Sequence, residues 1–266
     1  MLRKKYEELE FTDDFLFCKI LYKRPDLCKR ILELILEKKI KKITYLHKQE
    51  EIKLTSDGKG VRLDIYLEDD TGTVYIVEMQ TVLNKNLPRR SRYYQAMADL
   101  NLLERGSSYS ELANGYVIFI CKKDPFGRGL GVYSFENTCR EDKELLLHDG
   151  TCKVFVNAEC NRSGMPEELA DLLQFLNDGT VEGILANELY EEVLKARNHD
   201  EWRLEFMTLA MRDEEKRAEG RAEGRAEGRA EGHLEMLISL VKDGLLKISD
   251  ASKKAEMSEE EFKKLI

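Results

Sequence analysis

Histidine is scarce and unpatterned in this chain. His47, His148, His199 and His233 are the whole complement and show no HExxH or other metal-ligand spacing, which argues against a zinc enzyme and against histidine-based hydrolysis. The 6 cysteines include no CxxC pair and mostly sit among apolar residues, the pattern of buried free thiols in a reducing cytoplasm. No uninterrupted apolar stretch approaches the roughly 18 residues of a membrane span, and the start lacks the basic and apolar regions of a signal peptide. A soluble, cytoplasmic protein with no membrane partner is therefore expected. Walker loops, GxGxxG and GxSxG are absent, which removes most readable nucleotide-binding and acyl-transfer classes. A surplus of positive charge is missing too: 43 Lys and Arg stand against 51 Asp and Glu, a formal net charge of −8. That excludes a chain coated for bulk nucleic-acid binding and leaves room for a local basic patch.

What is present is enough for a real core, with 42% hydrophobic residues in 266. "FTDDFLFCKILYKRPDLCKRILELILEKKI" reads as helix, with Thr12 as cap, Asp13 and Asp14 at the anion-favouring end, and Pro25 dividing it into two. Strand-like runs follow at 43–54, 61–69 and 73–82, separated by the turn clusters Ser56-Asp57-Gly58 and Asp70-Thr71-Gly72, so a three-strand meander is expected. Pro88 suits the first turn of a helix over 88–105, ended by Gly106. "GYVIFICKK" (115–123) reads as a strand buried on both faces, and "GVYSFENTC" and "CKVFVNAEC" as further strands. From Pro166 the pattern is helical.

The chemistry concentrates in "DIYLEDDTGTVYIVEMQ" (64–80). Alternation puts Arg62, Asp64, Tyr66 and Glu68 on one face of their strand, and Glu78 and Gln80 on one face of the next. A five-residue loop from Asp69 to Thr73 sets Asp64 across from Glu78, with β-carbons about 5 Å apart. Carboxylates so placed repel unless a cation lies between them. Mg²⁺, with Mn²⁺ as an alternative, suits two carboxylates plus the Met79 carbonyl oxygen. On the helix that follows, Arg89 and Arg92 share a face and are candidates for the scissile phosphate, while Lys85 and Arg90 are candidates for flanking phosphates. Tyr94 and Gln95 would support the site, although an aromatic such as Tyr94 at helical spacing also suits a core. Asp14 is either a further acid near the metal or an ordinary helix N-terminal acid.

Asp64, then Glu78-Met79-Gln80, resembles the D…(D/E)xK motif of the PD-(D/E)xK nuclease superfamily. More closely, "TDDFLFCKIL", "RLDIYLED", "YIVEMQ" and "RRSRYYQAMADL", in that order, resemble the Rpn family of recombination-promoting nucleases and transposases over roughly residues 10–160. The resemblance implies an α/β, restriction-endonuclease-like core of helix, three-strand meander, helix and strand, with a variable C-terminal region. It also implies a metal-dependent DNA endonuclease that promotes recombination or limits foreign DNA, in which Asp64 and Glu78 bind metal and Gln80 stands where the wider superfamily has lysine. A neutral amide orients a water but brings no positive charge to the transition state, so a nearby cation must replace it. The alternative is a non-catalytic nuclease fold serving as a DNA- or protein-binding regulatory module.

The expected organisation is a nuclease-like domain over 1–165, a helical extension over 166–216, an Arg-Ala-Glu-Gly repeat over 217–232 and a small helical module over 233–266. In the repeat every i,i+4 pair is like with like, and each of its four glycines costs about 1 kcal/mol relative to alanine, so alone it is a poor helix. It is either a solvated spacer or a homo-oligomerising element that sets its Arg stripe against another helix's Glu stripe. Ser249 and Ser258 are candidate caps in the last module, Ser258 with Glu261 as a capping box.

Overall fold

Pro25 does divide the first helical stretch. In the computed structural model, which describes residues 4–47, 51–52, 61–103 and 106–266, helix α1 (Asp14–Lys23) ends two residues before it and α2 (Pro25–Leu36) begins on it. This follows because proline lacks the N–H that a helix interior needs but a first turn does not. The cap is Asp13 and not Thr12, which is buried; the Asp13 carboxylate accepts from the Glu10 N–H at 2.7 Å and the Lys4 ammonium at 2.9 Å. Helix α1 buries Phe15, Leu16, Phe17, Cys18, Ile20 and Leu21, so it is covered on most sides.

The main sheet has six strands: β1 (Ile43–His47), β4 (Ile65–Asp69), β5 (Val74–Gln80), β6 (Gly115–Cys121), β8 (Thr151–Asn157) and β7 (Val132–Phe135), in that spatial order. β1, β4 and β5 form the antiparallel meander expected from the turn signals; β5, β6 and β8 run parallel, and β7 returns antiparallel on β8. A separate ribbon joins β2 (Glu51–Ile52) to β3 (Val61–Arg62). The run 61–69 is therefore not one strand: it breaks at Leu63-Asp64, where pairing passes from the ribbon to the sheet. The Ser56-Asp57-Gly58 turn, residues 48–50 and 53–54 of the first strand-like run, and residues 104–105 of the expected helix lie outside the described residues.

Helix α3 (Leu87–Leu102) links β5 to β6 and lays Leu87, Tyr94, Met97 and Ala98 on Ile76, Val117, Phe119 and Phe155. On the remaining side, α1 packs on β4 and on α5 (Gly183–Arg197), and α4 (Glu167–Asp178) packs on α5 and α2. Ion pairs reinforce this layer. The nearly buried Glu192 carboxylate meets Arg24 at 2.8 Å and Lys195 at 2.9 Å, while Arg30 meets both Glu168 and Glu188. Arg24→Ala, which leaves Glu192 underpaired, should cost about 1–3 kcal/mol in urea unfolding, and Arg24→Met with Glu192→Leu should recover most of it. Equal stability of the two variants would show that the pair carries no such weight.

By its contacts the chain divides into two compact units, residues 1–202 and 203–266, and the boundary expected at residue 165 falls inside the first. The second unit consists of most of α6 (Asp200–Lys242) with α7 (Ile248–Lys254) and α8 (Glu259–Lys263). Leu237, Ala251 and Phe262 form its small core. Ser258 caps α8 in a capping box with Glu261, as its spacing predicts. Ser249 instead lies inside α7, whose cap position is Lys247.

Candidate functional site

Asp64 and Glu78 meet one step beyond the end of the β4–β5 ladder, whose last backbone pair is Ile65 with Val77. There the side chains take over the pairing. The Asp64 N–H donates to Glu78 Oε1 at 3.0 Å, and the Met79 N–H donates to Asp64 Oδ2 at 3.1 Å. Each carboxylate is thus held by the backbone of the other's strand, in the register the hairpin length predicts. Within a strand the N–H and C=O of one residue leave on the same side, so the Met79 carbonyl also opens toward Asp64 while its side chain is buried. From α1 the Cys18 thiol reaches the Asp64 carbonyl at 3.5 Å.

The other wall is α3, and its phase decides which arginine matters. Leu87, Ser91, Tyr94, Met97 and Ala98 are buried at helical spacing, which turns Arg90 inward and leaves Arg89 and Arg92 exposed. Arg90 Nη2 donates to Glu78 Oε2 at 3.2 Å and to the Tyr94 hydroxyl at 2.8 Å, and Nη1 donates to Gln80 Oε1 at 2.8 Å. Its Cζ lies 5.3 Å from the Tyr94 ring centre and 5.2 Å from that of Phe119, within cation–π range. Gln80 turns its amide nitrogen to the Val82 carbonyl at 3.0 Å. The guanidinium that meets Glu78 is therefore Arg90, which by spacing alone is a candidate for flanking phosphates. The apolar stripe of α3, read for phase, was the signal that would have placed it.

The remaining candidates are spread. Lys85 is exposed in the turn before α3, and Tyr94 is in the site. Gln95 is not brought to it: its amide donates to Asp99 and packs on Gly115, where an added Cβ would lie 2.5 Å from Gln95 Nε2. Gly115 precedes Phe119 by four strand positions, about 13 Å along β6. Asp14 is exposed in the first turn of α1, on the face that carries Cys18 one turn later. Among the described residues no group of three or more His, Cys, Asp or Glu is arranged to hold a metal ion, so Asp14 does not complete a triad.

Burial, and then the charge of Asp64, pushes the Glu78 carboxyl up to about 8, against the pull of the Asp64 N–H and the Arg90 guanidinium. A buried carboxylate beside a half-buried one, with an arginine already divided among three partners, forms a set that a further cation would relieve. Their hard oxygens, with the Met79 carbonyl, fit Mg²⁺ or Mn²⁺ in donor type. The raised pKa has a checkable sign. An unfolded glutamate titrates near about 4.3, so the fold favours the protonated form, and its contribution fades as pH rises from there to about 8. In chelator-treated protein the urea midpoint of wild type should fall relative to Glu78→Gln between about pH 5 and pH 8. Parallel curves would mean that Glu78 is not strained by ionisation.

Residues 12–129 match the family model of the PD-(D/E)XK nuclease family transposases. No curated protein and no solved structure matches. The matched span is just under half of the chain and contains Asp14, Asp64, Glu78, Gln80, Arg90 and Tyr94. The PD-(D/E)XK match agrees with the mixed α/β architecture, which carries a six-stranded sheet and a helical C-terminal part.

Proposed function

We propose that the first unit is a divalent-metal-dependent DNA endonuclease that hydrolyses phosphodiester bonds, promoting recombination or limiting foreign DNA in the cytoplasm. The observation that carries this reading is the Asp64–Glu78 pair, cross-bonded at the ladder's end beneath Arg90 and inside the family-matched span. Asp64, Glu78 and the Met79 carbonyl would hold a hard divalent cation, which supplies Lewis acidity toward a phosphate oxygen and lowers the pKa of water. Gln80 orients the attacking water through its amide. Arg90, the cation nearest Gln80, takes over the electrostatic work of the superfamily lysine by turning its fork toward the phosphate as negative charge builds there. Tyr94 and Phe119 keep that guanidinium in place by its faces. The exposed Lys85, Arg89 and Arg92 contact flanking phosphates of the duplex.

Supercoiled plasmid incubated with the protein and Mg²⁺ should be nicked or linearised, and EDTA should stop it. A binding-only reading draws on one observation, that Arg90 already satisfies Glu78 and Gln80 internally. Calorimetry showing no uptake of Mg²⁺ or Mn²⁺, together with DNA binding that survives Glu78→Ala, would establish that reading in place of hydrolysis.

A further inference from the structure

The repeat Arg217–Gly232 is helical throughout, inside α6, and each of its residues is exposed. Among the described residues no ion pair joins one of its arginines to one of its glutamates, and the Arg229 guanidinium bends back to the Arg225 carbonyl at 3.1 Å. Around Gly220, Gly224, Gly228 and Gly232 the space that a Cβ would occupy is open. Four arginines and four glutamates are therefore set out in ordered rows with nothing inside the helix to neutralise them.

We infer that α6 is a pairing helix for a second copy of this chain, parallel and in register. At about 100° per residue the rows stand at roughly 0° for Arg217, 100° for Ala218, 200° for Glu219 and 300° for Gly220. Ahead of the repeat, Leu204, Met207 and Met211 are exposed at 68%, 53% and 64%. On the same wheel they fall at roughly 140°, 80° and 120°, on the line of Ala218 and Ala222. One apolar seam of five residues thus runs from Leu204 to Ala222, with Arg217 and Arg221 along one flank and Glu219 and Glu223 along the other. The alanines in that seam let the two backbones approach closely.

Charge then selects both partner and orientation. In a parallel pair about a two-fold axis along the helices, each flank meets the opposite flank of its mate, so Arg faces Glu on both sides of the seam. In an antiparallel pair each flank meets its own kind, and Arg faces Arg. The repeat carries equal numbers of the two signs, so it complements an identical helix and gives a polyanion no net attraction. Its four-residue period advances the row by about 40° each turn, which favours a right-handed crossing.

Light scattering on the full chain at roughly 100 µM should give a dimer that weakens with salt. Replacing Glu219, Glu223, Glu227 and Glu231 by Arg should raise the dimer Kd at least about 100-fold, and so should replacing Arg217, Arg221, Arg225 and Arg229 by Glu; mixing the two variants should restore a one-to-one pair. Ala218→Cys and Ala222→Cys should each form a disulfide with its own copy. A wild-type monomer would overturn the inference, as would a dimer indifferent to the charge changes or to deletion of residues 217–232. A disulfide found only in the mixture of the two cysteine variants would overturn the parallel orientation.

Discussion

Plasmid incubated with Asp64→Ala protein and Mg²⁺ is expected to stay supercoiled, with cutting reduced on the order of 10³-fold. The change removes one of two carboxylates and, with Oδ2, the acceptor of the Met79 N–H. Glu78 alone would then face a cation, and the backbone step from Glu78 to Met79 would lose its tie to the neighbouring strand. Folding is not the expected casualty, because removing Asp64 also removes the charge that opposes ionisation of Glu78. Circular dichroism and the urea midpoint should stay close to wild type while cutting and calorimetric Mn²⁺ uptake disappear together. Undiminished cutting by a folded Asp64→Ala protein would discard the assignment.

Arg90 has the second largest expected effect. Arg90→Ala should lower cutting by about 10²- to 10³-fold, and Arg90→Lys should recover only part, because an ammonium is a point charge that cannot fork between Gln80 Oε1 and Glu78 Oε2. The discriminating measurement is metal affinity well above pH 8, where Glu78 is ionised in either protein. Arg90 occupies Glu78 Oε2, so its removal frees an oxygen, and Arg90→Ala should bind Mn²⁺ at least as tightly as wild type while cutting far less. Metal affinity and cutting lost in step would mean that Arg90 merely braces the site.

The readable parts were those governed by short-range rules. Pro25 and Pro88 mark helix starts because proline's missing N–H admits few positions, and the length of the Asp69–Thr73 loop predicted the register that sets Asp64 beside Glu78. The illegible parts depended on long-range contacts or on phase. Leu63 and Asp64 continue a strand pattern, yet the pairing partner changes there from ribbon to sheet, which alternation cannot reveal. Arg89, Arg90 and Arg92 differ only in which way α3 faces, and that is set by Leu87, Tyr94 and Met97 settling on the sheet. Helices α4 and α5 read as an extension because the contacts that join them to the core are long-range; Arg24 and Glu192, one such pair, stand 168 residues apart.

The contacts that shape the candidate site bridge short lengths of chain. Asp64 N–H to Glu78 spans 14 residues, and Arg90 to Glu78 spans 12. Loops that small lose little conformational entropy on closing, and local pairings of this kind tend to form early in folding. The geometry of the candidate site is therefore largely written into one hairpin and the helix after it, with α1 and Phe119 as outside supports. The tail can therefore be lengthened, exchanged or redesigned without disturbing these contacts.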